Sequence, residues 1–390
     1  MMFLYLLALL PVTIGAVLWI FHKKVVWWEW LIGCAIAFIT SGIFHFAVVY
    51  GMTADSETWS GQVHSAHHEP YWYAEWQELE TYTVTVGSGS NARTETRTRW
   101  VTRSETHHPE WWVQTSVGRI SIGEGKYAEL RSRFGQEVST PGHRPNFQRG
   151  DRNDYRLVNV NSWAEPVNVW RTWENRLQAA PSTFTFPDVP EGTPVFEYPE
   201  NGNPFRSDRL LGRANAIDLL EFDRMNGRLG PSMKVNVIII GFPSDAPQSL
   251  AQHQEAHWFG GEKNDLVLCY GGGQGTTASW SYVFGWTEEE LVKRNLETIL
   301  LNNPIDTSIL PLLEQEIREN YEIRDWSQFD YISIEPPTWS YFVLLLTMAI
   351  TQTGFWLWAH FNNLDKDNAG LESFGKKRNK RTYINPFRKY

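Results

Sequence analysis

KVNVIIIGFPSDAPQSLAQHQEAHWFGGEKNDLVLCYGGG, residues Lys234–Gly273, sets the architecture of this chain. Val235–Ile240 and Leu266–Tyr270 are short apolar runs bounded by Gly, Pro or charged residues, the pattern of buried strands. The segment between them is compatible with a helix. Two strands joined by a helix predict a parallel βαβ unit with a right-handed crossover. A further strand is predicted at Ser279–Gly285, after a turn at Gly271–Gly275. Thr287-Glu288-Glu289-Glu290 has the form of a capping box and opens a helix over Glu288–Leu300. Another helix is predicted at Thr307–Tyr321, interrupted early by Pro311. On the N-terminal side, a helix is predicted over Ser207–Gly230, capped by Ser207 and ended by Gly227 and Gly230. Strands with helices before and after them predict an α/β three-layer sandwich over residues 207–337.

The apolar residues cluster at the two ends of the 390-residue chain. Residues 1–21 carry no Asp, Glu, Lys or Arg and are long enough to cross about 30 Å of hydrocarbon. A second span is expected at residues 30–51, after the aromatic cluster Trp27, Trp28 and Trp30, and a third at residues 338–361. Lys23 and Lys24 follow the first apolar run, whereas a cleaved signal peptide carries its positive charge in front. The loop 22–29 holds these two lysines. The tail 362–390 holds Lys366, Lys376, Lys377, Arg378, Lys380, Arg381, Arg388 and Lys389. Placing both basic segments in the cytoplasm gives a multi-pass protein of the cytoplasmic membrane, with its N-terminus and residues 52–337 outside. Gly33, Ala37 and Gly42 give the second span a small-residue face for helix packing.

The exported region is expected to hold two domains. Residues 52–70 are polar and read as a juxtamembrane segment. Tyr82–Val86 and Thr94–Val101 alternate around the GSGSN turn and predict a β-hairpin. Thr98, Trp100 and Thr102 fall on one face of it, and Arg97, Arg99, Val101 and Arg103 on the other. Strands at Trp111–Thr115 and Arg156–Val160 and a helix at Gly125–Gly135 complete a β-rich domain over residues 71–186. Residues 187–206 are rich in proline, which resists helix and central strand alike, and read as a linker. The expected class is therefore mixed, α+β with an α/β module.

The candidate chemistry is sparse. A formal charge of −9 argues against nucleic acid as a partner, because such proteins present a basic surface. Cys34 lies in an apolar span and Cys269 in a buried strand, so no disulfide is expected. His64, His67 and His68 are the candidate ligands for a divalent metal, with His107 and His108 as possible additions. His253 and His257 share a helical face, but HQEAH is not HExxH. Ligands of open α/β sheets gather at the carboxyl ends of strands, which singles out Ser244, Asp245, Gly272 and Gly273.

The pieces VNVIIIGFP, AHWFGGEKNDLVL and SWSYVFGW, with the helices around them, resemble the TPM domain over residues 207–325. That resemblance implies an extracytoplasmic, often membrane-anchored α/β domain. It also implies one of two roles, acid phosphatase or assembly of membrane complexes. The neutral run Gly271–Gly275 stands where the family often places an acidic residue with Arg. THHPEWW and FDYISIEPPTW resemble segments of bacterial and phage-borne membrane proteins. The expected function is a non-enzymatic, membrane-anchored binding or assembly protein with a membrane or exoplasmic protein partner and no resident cofactor. The alternative is a metal-dependent, phosphatase-like hydrolase.

Overall fold

A computed structural model of the chain describes residues 13–15, 17, 27–87, 93–158, 165–180, 186–199, 202–273 and 275–362. It divides into two compact units, one of residues 1–54, 174–184 and 329–390 and the other of residues 55–173 and 185–328. The class is mixed α and β, with several sheets.

The first unit contains helix α1 (Trp27–Thr53) and, at the far end of the chain, helix α7 (Thr338–Asn362). Both are long and apolar enough to cross a membrane, over Glu29–Thr53 and Thr338–Trp358. They pack through Ala37, Leu344 and Met348, with Phe44 and Tyr341 beside them. Gln352 donates from Nε2 to the Gly33 carbonyl at 2.9 Å. Gly33 serves close packing as expected, since a Cβ there would lie 3.1 Å from the Trp356 ring. Gly42 has open space around it. Outward-facing Ile43, Phe46, Phe342, Leu346 and Ile350 are each more than 60 % exposed, a surface suited to hydrocarbon. Of the expected first span, only Thr13, Ile14, Gly15 and Val17 are described, and these are helical. The rest of that span, Lys23, Lys24 and the basic tail lie outside the described residues.

The second unit is organised around β1 (Ala54–Glu69). This corrects the expected solvated segment at 52–70, because much of the strand is buried. Among its buried polar residues, small Ser60 donates from Oγ to Asn168 at 3.0 Å. The C-terminal half of β1 lies in a sheet ordered β5–β4–β1–β8–β6, with β9 (Pro166–Glu174) also pairing to β1. The other strands are β4 (Glu110–Thr115), β5 (Gly118–Ile122), β6 (Glu137–Pro141) and β8 (Asn153–Leu157). Helix α2 (Glu124–Phe134) covers one face, where Tyr127 and Leu130 meet Val63, Ala66, Val113 and Leu157. A second sheet joins β2 (Trp72–Val86), β3 (Arg93–His107) and β7 (Phe147–Gly150).

The Lys234–Gly273 stretch forms β11 (Asn236–Phe242), α4 (Ser249–His257) and β12 (Asp265–Gly272), with the two strands parallel. Antiparallel β13 (Ala278–Gly285) and parallel β10 (Leu210–Gly212) complete a four-stranded sheet. Both faces are covered, so after the opening Asn236 and Asp265 its central strands carry apolar residues or glycine at successive positions rather than alternately. Val237, Ile239, Leu266 and Leu268 face α3 (Leu219–Met233), α5 (Glu290–Asn302) and α6 (Leu310–Asn320). Ile238, Ile240, Val267 and Cys269 face α4 and the segment carrying Phe196 and Tyr198.

Three further expectations are corrected here. The helix predicted from Ser207 starts at Leu219, where Asp218 caps it by accepting from the Glu221 N–H at 2.9 Å. Leu210 and Leu211 go instead into an edge strand. Gly227 and Gly230 lie inside α3, where they let it approach β1: a Cβ at Gly230 would lie 2.1 Å from the Ser60 carbonyl oxygen. The Pro-rich 187–206 segment is no free linker. Gln254 clamps both backbone groups of Phe196, accepting at 2.7 Å and donating at 3.0 Å. Accordingly the expected β-rich and α/β domains form one compact unit.

Candidate functional site

At the carboxyl ends of β11 and β12 the structure brings Ser244 and Gly272 together. A Cβ built on Gly272 would lie 3.3 Å from that of Ser244, and the φ of 78° there favours glycine. Gly273 turns instead toward Ile305 and the Tyr270 ring. Asp245 is exposed on the loop before α4. The neighbouring polar groups are already engaged. Trp280 Nε1 donates to the Ala246 carbonyl at 2.7 Å, and Ser279 Oγ donates to that of Gly271 at 3.0 Å.

The histidines do not converge. His67 and His68 are successive in β1 and so point to opposite faces. His67 stacks on Trp112 and His68 on Trp111, while His64 is exposed. Among the described residues no group of three potential ligands forms a metal site. His253 and His257 lie on α4, with His257 Nε2 at 3.6 Å from Glu197.

The densest polar constellation lies at the opposite ends of the same strands. Arg209, 4 % exposed, donates from Nε to Ser207, from Nη1 to Ser60 and Asn236, and from Nη2 to Asn168 and Asp223, at 2.6–3.1 Å. Asn236 then donates to Asp265 at 2.8 Å, and Asp265 also accepts from the Tyr198 hydroxyl at 2.9 Å and the Glu262 N–H at 2.8 Å. Glu262 accepts from Ser56 at 3.1 Å. Burial raises the Asp265 carboxyl above the ordinary range. Glu262 is raised by burial first and then by the charges of Asp265 and Asp55. The recess over this network, bordered by Thr58, Asn168, Tyr198 and Asp208, has room for about one water molecule. With every guanidinium donor used, the network is a clamp holding β1 against the α/β sheet. Reading 207–230 as one helix hid Arg209, and no motif in the sequence marks it.

The exposed recognition groups lie elsewhere, on the β2–β3 hairpin. The strands pair without a break from Trp72↔His107 to Val86↔Arg93, while β7 supports only Trp72–Ala74. Residues 76–86 and their partners therefore form a two-stranded ribbon about 35 Å long. One face is charged but internally matched, with Arg99–Glu80 at 2.7 Å, Arg103–Glu78 at 3.0 Å and Arg97–Glu95 at 3.1 Å. The other carries Gln77, Thr81, Thr83, Thr96, Thr98 and Thr102 around the cross-strand pair Leu79↔Trp100, and has no charge. Leu79 is 51 % and Trp100 67 % exposed. The sequence separated these two faces correctly. No known family model, curated protein or solved structure matches the chain, so what these surfaces do follows from their own chemistry.

Proposed function

We propose that the chain is a membrane-anchored, exoplasmic binding or assembly protein that engages a protein partner through the uncharged face of the β2–β3 ribbon. The observation that carries this reading is the exposure of Leu79 and Trp100 side by side on a ribbon without sheet support. A bare two-stranded ribbon is marginal in water, and a large exposed aromatic on it is a typical interface anchor. The cross-strand pairs Arg99–Glu80 and Arg103–Glu78 on the opposite face help to hold the strands in register. The resemblance to TPM domains supports an assembly role. Two apolar helices support membrane anchoring.

The test is a photoreactive amino acid placed at position 79, 97 or 100 of the full chain in membranes. Positions 79 and 100 are expected to give one discrete protein adduct, and position 97 much less of it. Equal labelling at all three positions, or none at 79 and 100, would sink the proposal.

A further inference from the structure

Strand β7 lies along the outer edge of β2 only at Trp72–Ala74, after which the Glu75 N–H donates to the Asn146 carbonyl at 3.0 Å. From Trp76 to Val86 no described strand continues it, and none lies along the outer edge of β3. Both edges therefore present rows of backbone N–H and C=O groups, a template for a further strand. The two edges differ in charge. Strand β3 carries Arg93, Arg97, Arg99 and Arg103, all with exposed side chains. Antiparallel pairing of β3 with itself about Thr98 would set Arg97 opposite Arg99 and Arg93 opposite Arg103. Like charges directly opposite each other are destabilising, so this edge is guarded. The free stretch of β2, WQELETYTVTV over residues 76–86, has no Lys, Arg or Pro. Its only charges, Glu78 and Glu80, are drawn to Arg103 and Arg99 of β3 at 3.0 and 2.7 Å. Thr81–Val86 consists of Thr, Tyr and Val alone, which favour strands.

We propose that the free edge of β2 pairs antiparallel with the same edge of a second copy of the chain, about a two-fold axis at Thr81. The product is a four-stranded sheet in the order β3–β2–β2–β3. Thr81 is the middle of the unsupported stretch 76–86. Pairing about it sets Glu78 opposite Val84, Glu80 opposite Tyr82, Trp76 opposite Val86 and Leu79 opposite Thr83, so no two charges meet. That self-match is what selects a second copy as the occupant. A two-fold contact closes on itself, and the guarded β3 edges stop the sheet at four strands. A bare ribbon thereby gains the strands it needs for stability. Opposite residues share a face, so Leu79 and Trp100 of both copies remain on one open side. The pairing uses the backbone edge and leaves that face free, so it goes beyond the reading given above.

The test is disulfide cross-linking of the full chain in membranes, in a Cys34→Ala background where Cys269 is buried. Facing residues of an antiparallel pair have Cα atoms about 4.5–5.5 Å apart, within disulfide reach. Thr81→Cys is expected to give a covalent homodimer on mild oxidation. Thr83→Cys and Thr98→Cys, each roughly 14 Å from its counterpart in the paired sheet, are expected to give roughly tenfold less. Adding Val84→Glu to Thr81→Cys places a like charge opposite Glu78 and should cut the dimer roughly fivefold, whereas adding Val84→Arg should not. No dimer from Thr81→Cys overturns the proposal. So do equal yields at positions 81, 83 and 98, and so does an equal effect of the two Val84 substitutions. An adduct of Leu79 or Trp100 with a different protein is independent of all these results, so failure of the edge pairing is distinguishable from failure of the face as a partner site.

Discussion

Arg209 spends all five of its N–H groups inside the protein, and Asp223, 7 % exposed, is its charged partner. Removing one member of a buried pair leaves the other uncompensated, which costs about 3–5 kcal/mol. Arg209→Met is therefore expected to destabilise the chain by that amount, and adding Asp223→Asn to recover part of it. Denaturation midpoints of the full chain in detergent check this against Arg99→Met, which removes an exposed pair and is expected to leave the midpoint nearly unchanged. Glu262 makes the opposite case. One carboxylate oxygen is buried without a hydrogen bond, and burial with the neighbouring Asp265 raises its proton affinity in the folded state. Stability from a raised carboxyl is present in acid, below the ordinary glutamate range. It is lost as pH rises through the folded value. Glu262→Gln is thus expected to stabilise the chain at pH 8 by about 1–3 kcal/mol, the cost of an unsatisfied buried group, and to change nothing at pH 4. A melting series across pH settles the sign; a variant less stable than wild type at pH 8 would refute it.

Helix α3 shows how an element is placed by what it lacks. Gly→Ala inside a helix ordinarily stabilises by about 1 kcal/mol. At Gly230 the added methyl would meet the Ser60 backbone, and at Gly227 the Gly61 carbonyl at 2.7 Å. Gly230→Ala is expected to cost about 1–3 kcal/mol, whereas Gly125→Ala in α2, where nothing lies within 4 Å, should be neutral or stabilising. Melting temperatures of the two variants shifting in the same direction would show that α3 does not need this contact. The same contact explains what the sequence hid. The apolar β11 and β12 were legible because both of their faces are buried. The β2–β3 hairpin was legible because its alternation and turn glycines are local signals. Strand β1, with sequence ADSETWSGQVHSAHHE, looks solvated because its burial comes from backbone pairing and from small residues lying under another helix's glycines. The paired strands β4 and β8 lie about 40 to 90 residues away and the helix glycines about 170, and no local pattern announces them. Ser207 and Arg209 were misread for the same reason: a Ser followed by an apolar periodicity is a good cap signal, and tertiary packing overrode it. Of the four residues expected at the carboxyl ends of the strands, Ser244 and Gly272 lie side by side while Asp245 and Gly273 do not join them, and neither the ribbon's isolation nor the Arg209 clamp has a local sequence signal.

At the scale of the whole chain, α1 and α7 are antiparallel: Phe44 and Tyr341 both pack against the shared cluster near one end, and Gly33 meets Gln352 near the other. The end of α1 and the approach to α7 are tied to the same short segment. Asn175 donates to the Thr53 carbonyl at 2.6 Å, and Arg176 donates to those of Asp330 and Ile332 at 2.7 and 3.3 Å. If these helices cross a bilayer, the region between them must leave and return on one side. Lys23 and Lys24 precede α1 and the basic tail follows α7, so both charge clusters fall on the opposite side. On that topology the positive-inside tendency predicts that side to be the cytoplasm. In a Cys34→Ala background, a cysteine at Trp100 is expected to react with a membrane-impermeant maleimide in intact cells, since the buried Cys269 thiol is inert. A cysteine at Lys376 should react only after permeabilisation. Labelling of both positions from the same side would contradict the antiparallel pair, and labelling of Lys376 alone in intact cells would invert the orientation and, with it, the compartment in which the ribbon meets its partner.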